Sequence, residues 1–106
     1  MTLDVMPDKA LDLTLIQSFR CSDTALLFQD RIVRRFQSIE RTARRKLLYL
    51  HQARRLDDLR VPPVNQLEAL KGDPAGTYSI RINDQWRLSF SWRDGDAAEV
   101  EIVDYH

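Results

Sequence analysis

The stretch that decides the fold is TYSIRINDQWRLSFSWRDGDAAEVEIV, Thr77 to Val103. Hydrophobic side chains fall on every second residue there: Tyr78, Ile80 and Ile82, then Trp86, Leu88, Phe90 and Trp92, then Val100 and Ile102. A period of two belongs to β-strands with one face buried. Three runs carry it, Thr77–Ile82, Gln85–Trp92 and Ala97–Val103. Asn83-Asp84 makes the first tight connection and Asp94-Gly95 the second, a favoured hairpin pair. Three strands joined by such short turns predict an antiparallel meander. Its other face would carry Ser79, Arg81, Asn83, Arg87, Ser89, Ser91, Arg93, Glu99, Glu101 and Val103.

Working outward, LTLIQSF (Leu13 to Phe19) reads as a first strand. Ser22 or Asp23 is expected to cap a short helix through Ala25, Leu26, Leu27 and Phe28. A longer helix should start near Ser38, because Ile39, Ala43, Leu47 and Leu50 recur at helical spacing. Arg41, Arg44, Arg45, Arg54 and Arg55 fall mostly off that stripe and are expected to face water or a partner. Pro62 and Pro63 close the helical half. Val64 to Gly76 then reads as a loop anchored by Leu67 and Leu70, and His51 as a surface residue. The order is strand, two helices, three strands: an α+β domain with its helices on one face of a sheet. Residues 1–13 lack periodicity and read as an N-terminal extension to a domain of residues 14–106.

The 106 residues suffice for one hydrophobic core. Lys and Arg balance Asp and Glu at 16 each, so net charge selects no partner, but its distribution does. Between Arg31 and Arg60 lie ten basic residues opposed only by Glu40, Asp57 and Asp58, and such a surface can attract a polyanion locally. The single cysteine, Cys21, excludes an internal disulfide framework. No run resembles a secretory signal or a membrane span, so a cytoplasmic protein is expected.

The last residues, VDYH, carry the chemistry. His106 sits two residues from Asp104 and beside the chain's α-carboxylate, and both charges favour the imidazolium. Such a histidine can take or give a proton near neutrality. Tyr105 can bond a phosphate or stack on a base, and Lys71 can add a cation. Arg81 and Arg87 flank one turn and are expected to reach a common point, where the planar guanidinium fork suits phosphate. The bland alternative has them bridging to Glu99 and Glu101. Strict alternation separates Asp104 and His106 from the arginine face, so the last strand must bulge or end near Val103 for one site to form. The reaction served would be attack of an RNA 2′-OH on its neighbouring phosphate, which needs no metal.

LEALKGDPAGTYSIRINDQWRLSF (Leu67 to Phe90), with the terminal VDYH, closely resembles the HigB branch of the RelE/ParE toxin superfamily, and LRVPPVNQLEALKGD resembles the loop preceding it in many members. The resemblance spans residues 15–106 and implies a RelE-like fold. It also implies metal-independent and cofactor-free cleavage of mRNA in the ribosomal A site, and a HigA-type helix-turn-helix antitoxin through which DNA is met only indirectly. By position, Asp104, Tyr105, His106, Lys71 and Arg87 match the catalytic set. Glu68 stands where a characterised member has a loop histidine. A glutamate can accept a proton but cannot be a cation toward phosphate, and Arg81 can compensate. Glu68, Arg81, Arg44, Arg45, Arg54 and Arg55 form the expected RNA-binding set. Two other readings use the same fold: a gyrase-binding toxin, as in the ParE branch, and a non-enzymatic RNA- or ribosome-binding module.

Overall fold

A computed structural model describes residues 16–70 and 76–104. Helix α1 spans Ser22–Phe28, a 3-10 helix Arg34–Ile39, and helix α2 Glu40–Gln52. Two 3-10 turns follow, Leu56–Arg60 and Pro63–Asn65, and then strands β1 (Glu68–Ala69), β2 (Thr77–Arg81), β3 (Trp86–Arg93) and β4 (Asp96–Asp104). The strands form one antiparallel sheet in the order β1-β2-β3-β4. Ile80, Ile82, Leu88, Phe90, Val100 and Ile102 are buried against Leu27, Phe36, Ile39, Ala43, Leu47 and Leu50. The period-two and helical stripes therefore meet in a single core, as the sequence predicts for an α+β domain.

One β-bulge sets the faces of the last strand. Ser89 lies opposite Glu101 while Ser91 lies opposite Ala98, so Glu99 and Val100 together face Phe90. Glu99 takes up the extra residue in the left-handed region, at φ 51°. This explains why Ala97 and Val100, three apart, are both fully buried, which strict alternation forbids. A single site joining Asp104 and His106 to the arginine face would need a bulge or strand end near Val103. The observed bulge lies upstream, and β4 continues without interruption through Asp104.

The bulge also decides what covers the free edge of β4. The N–H of Gln17 donates to the Ala97 carbonyl (2.8 Å), that of Val100 to the Ser18 carbonyl (3.1 Å), and that of Arg20 to the Val100 carbonyl (3.0 Å). At the bulge, the Glu99 N–H donates to the Ser18 hydroxyl at 2.9 Å instead of to a backbone carbonyl. The ladder is thereby reduced to one parallel bridge, Phe19 to Val100. The expected first strand is thus, among the described residues, a single-bridge edge segment; Leu13, Thr14 and Leu15 lie outside them, as does the extension of residues 1–13. Further along, the Ile102 N–H donates to the Thr24 hydroxyl at 3.1 Å. Thr24 is fully buried in α1, so this bond ties helix to strand.

Other details differ from the sequence reading. The N-cap of α1 is Cys21, with no side-chain cap, because Ser22 is already helical and the Asp23 carboxylate is held by Arg35 at 2.9 Å. Helix α2 begins at Glu40 because residues 34–39 wind more tightly. The Val64–Gly76 segment is not all loop: Glu68 and Ala69 pair with Ser79 and Tyr78, in a strand too short to show a period. The first connection of the meander is also wider than Asn83-Asp84, since both Ile82 and Asn83 donate to the Trp86 carbonyl. His51 is half-buried, its ring 4.9 Å from that of Phe28, and its Nδ1 accepts the Ile16 N–H at 3.3 Å.

Arg44 is also reassigned. Its Nη2 donates to the Arg31 carbonyl at 2.9 Å and its Nε to the Leu27 carbonyl at 3.4 Å, with Glu40 at 3.2 Å. The Leu27 carbonyl lies in the last turn of α1 and that of Arg31 in the loop just beyond it, so a cation there interacts favourably with the negative end of the helix dipole. Arg44 is a clamp between α1 and α2, while Arg45 beside it is exposed.

Two substitutions test these ties by urea unfolding. Thr24→Val keeps the shape but leaves the Ile102 N–H unpaired, and should cost about 1–3 kcal/mol, the penalty for a buried unsatisfied donor; Thr24→Ser should recover most of it. Arg44→Ala should lower the unfolding midpoint clearly, whereas Arg45→Ala should stay within about 0.5 kcal/mol of the parent.

Candidate active site

The centre of the outer sheet face is a buried guanidinium. Arg87 on β3 is only 7 % exposed. Its Nε donates to the Ser79 hydroxyl at 2.8 Å, and its Nη2 to the Gln66 carbonyl at 2.6 Å and the Ser79 carbonyl at 3.3 Å. The Glu68 carboxylate on β1 lies 3.8 Å from the same Nη2. Each partner has a reason to be there. Register places Glu68 opposite Ser79 and Ser79 opposite Ser89, all on one face. Gln66 follows the Pro63–Asn65 turn with φ 47° and ψ 62°, and this left-handed residue bends the chain from the turn into β1. A charge so far from water needs its donors occupied in fixed directions.

Arg81 and Arg87 are direct cross-strand partners, but they do not converge freely. Arg81 is ion-paired to Asp84 in the adjoining turn, and Arg87 turns toward Ser79 and Gln66. Of the two carboxylates in the bland alternative, Glu99 is paired instead with Arg20 at 3.5 Å. The expected open, polar sheet surface is correspondingly closed near Arg87, where Ser79 is fully buried.

Asp104 ends β4, exposed, with the Gln85 side-chain amide donating to its carboxylate at 3.1 Å. It pairs with Trp86, whereas Arg87 pairs with Val103. Asp104 therefore follows the face of Trp86, as alternation required, and the upstream bulge does not move it onto the arginine face. Lys71, Tyr105 and His106 lie outside the described residues. Among the described residues no three His, Cys, Asp or Glu side chains are grouped to hold a metal ion.

The basic third divides by role. Arg45 and Arg54 are exposed, and Arg55 is exposed with Asp57 3.9 Å away. Asp58 accepts the backbone N–H groups of Arg54 (2.9 Å) and Arg55 (3.1 Å), bonds that hold its carboxyl below the usual range. Lys46, by contrast, is buried and donates to the Asn65 side-chain carbonyl at 2.5 Å. Burial, with the charges of Arg45 and Arg81, pulls its ammonium below the usual lysine value. Sequence reasoning placed Ser79 on the arginine face and counted Lys46 among the basic residues, but gave neither of them, nor Asn65, a role at the site. The one available signal was that Lys46 adjoins Leu47 on the edge of the apolar stripe.

At Cys21, burial pushes the thiol up, but bonds from Thr24 and Asp23 and the Arg35 charge outweigh it and leave the thiol below its ordinary value. The Arg35 Nη2 lies 3.4 Å from the sulfur.

Comparison with known proteins agrees with the geometry. A family described as the RelE-like toxin of type II toxin-antitoxin system HigB matches residues 17–106. Toxin HigB-1 of Vibrio cholerae is 46 % identical over 65 residues, covering 61 % of this chain and 68 % of that protein. Endoribonuclease HigB of Proteus vulgaris is 31 % identical over 94 residues, covering 87 % of this chain and 100 % of that protein. The fold is shared with the solved YoeB dimer from Staphylococcus aureus, with a TM-score of 0.51 at 21 % identity, over 88 % of this chain and 97 % of that one. With the meander, the two helices and the match over residues 17–106 together, this chain belongs to the HigB-like, RelE-like toxins of type II toxin–antitoxin systems.

Proposed function

We propose that the protein is a ribosome-dependent, metal-independent mRNA endonuclease. The observation that carries this reading is Arg87, a guanidinium fixed by Ser79 and Gln66 with a carboxylate, Glu68, at 3.8 Å. A cation held in place before substrate arrives can stabilise charge developing on phosphate without reorganising. In the reaction, the 2′-oxygen loses its proton and bonds to phosphorus while the bond to the 5′-oxygen breaks. The products are a cyclic phosphate and a 5′-hydroxyl. Arg87 and Lys71 stabilise the charged phosphate oxygens, His106 transfers the proton, and Tyr105 bonds the phosphate or stacks on a base; Asp104, on the Trp86 side of β4 and not on the arginine face, is kept to orienting the imidazole. Glu68 sits close enough to Arg87 to hold it or to accept a proton.

A toxin of a type II system has an antitoxin partner, and here we assign it to the HigA type with a helix-turn-helix fold. The other partners are mRNA and the ribosome, engaged at its A site, and the setting is the cytoplasm; no helix among the described residues is long and apolar enough to cross a membrane. Arg45, Arg54 and Arg55 are exposed cations suited to ribosomal RNA, whereas Arg44 and Arg81 are occupied within the protein. Reversing Arg45 and Arg54 together should weaken ribosome association and lower its log–log salt slope by roughly 0.7–0.9 per lost phosphate contact.

Single-turnover mRNA cleavage on programmed ribosomes, beside ribosome pelleting, tests the chemistry. Arg87→Ala and Lys71→Ala should each slow cleavage by about 10²–10³-fold while changing binding far less. Arg87→Lys should rescue poorly, since an ammonium cannot reproduce the fork. His106→Ala should lose about 10²–10⁴-fold. Parent protein that leaves mRNA intact on ribosomes but inhibits DNA supercoiling would replace this reading with the gyrase one.

A further inference from the structure

Lys46 is the described cation whose burial the chemistry above does not explain. It is 4 % exposed, on α2, and among the described residues its ammonium meets an amide oxygen, that of Asn65, and the face of Tyr49 at 5.6 Å, but no carboxylate. A buried charge without a counter-charge is costly, so this one contributes direction more than attraction. Asn65 is itself fully buried, and its amide nitrogen donates to the carbonyls of Leu59 (3.0 Å) and Val61 (3.4 Å). The Asn65 side chain therefore joins both 3-10 turns to α2. The next residue is Gln66, whose carbonyl receives Arg87 at 2.6 Å.

We propose that Lys46 and Asn65 are positioning residues for Arg87: Lys46 fixes the Asn65 amide, Asn65 fixes the two turns, and the turns hold the Gln66 carbonyl where it locks the guanidinium. The proposal rests on the nuclease reading of Arg87. It makes the rigid helix layer, rather than β1 alone, the support of the site. β1 has only two residues and lies on the sheet edge, too little to fix a carbonyl to within the fraction of an ångström that catalysis requires. Misplacing a reacting group by about 1 Å can cost about 10²-fold in rate.

A double-mutant cycle on single-turnover cleavage provides the test. Lys46→Met fills the same space without the donor. In the parent background it should slow cleavage by about 10²-fold with ribosome pelleting unchanged, and the Arg87 Nε–H should exchange faster with solvent by ¹⁵N NMR. In an Arg87→Ala background the same change should cost less than about threefold, since residues acting through one another are not additive. Gln66 is exposed, so Gln66→Val reaches the same carbonyl without touching the core. A β-branched residue is strained at positive φ; Gln66→Val should reproduce the loss, and Gln66→Gly should fall well short of it. If Lys46→Met does not fold, the Gln66 pair decides.

The proposal is overturned if Lys46→Met costs the same factor in both backgrounds, or if Gln66→Val cleaves at the parent rate while Arg87→Ala is inactive. Arg87→Ala cleaving at the parent rate would instead remove Arg87 from the chemistry, and the support proposed for it with that role.

Discussion

A guanidinium removed from water on the face of a sheet is the constraint around which the outer half of this molecule is built. Arg87 carries its charge at 7 % exposure, and leaving such a group unpaired would cost several kcal/mol. The partners come from three separate pieces of chain: Ser79 on the neighbouring strand, Glu68 on the edge strand and the Gln66 backbone in the turn before it. The edge strand has two residues and little hydrophobic burial to hold it. What places it is the turn region anchored on α2, so the helix layer that covers one face of the sheet also controls a group on the other.

The opposite edge is handled by the same logic with different groups. β4 would expose a row of backbone donors and acceptors, a template for unwanted pairing. Residues 17–20 satisfy part of it, the Ser18 hydroxyl satisfies the bulge, and Thr24 satisfies Ile102. Because the bulge shifts the register at Glu99, both Ala97 and Val100 reach the core, and β4 keeps its apolar face inward on either side of it. The bulge is thus a packing device for the core. It leaves Asp104 on the side of Trp86.

The elements with a strong period were legible in the sequence. Thr77 to Val103 and the stripe Ile39, Ala43, Leu47, Leu50 gave the meander and the long helix because their burial is repetitive. What was not legible depended on single contacts between distant segments. A two-residue strand has no period to read. A bulge on a left-handed Glu99 carries none of the glycine signal that would mark it. Arg44, Arg45 and Lys46 are adjacent and chemically alike, yet one clamps two carbonyls, one is exposed and one is buried. Helical geometry explains the split: neighbours are about 100° apart, and Lys46 lies next to the stripe that Leu47 and Leu50 define. For the candidate site, position in the motif pointed to Arg87, but its burial and its contacts with Ser79 and the Gln66 carbonyl required the fold.

The division of the basic third changes what its charge can mean. Arg35, Arg44, Lys46 and Arg60 are engaged with Asp23, backbone carbonyls, Asn65 and Asp57. Those interactions are local and directional, and they hold helix ends and turns whether or not a polyanion is present. Exposed cations such as Arg45 and Arg54 are what a phosphate backbone would meet, and their attraction is screened within about 8–10 Å by salt. Arg31, Arg34 and Arg41 are exposed in the same third of the chain, so a protein of zero net charge keeps a locally basic surface. In the nuclease reading proposed above, these arginines steer the approach, and short-range fit at Arg87, already fixed on the sheet face, supplies the selectivity.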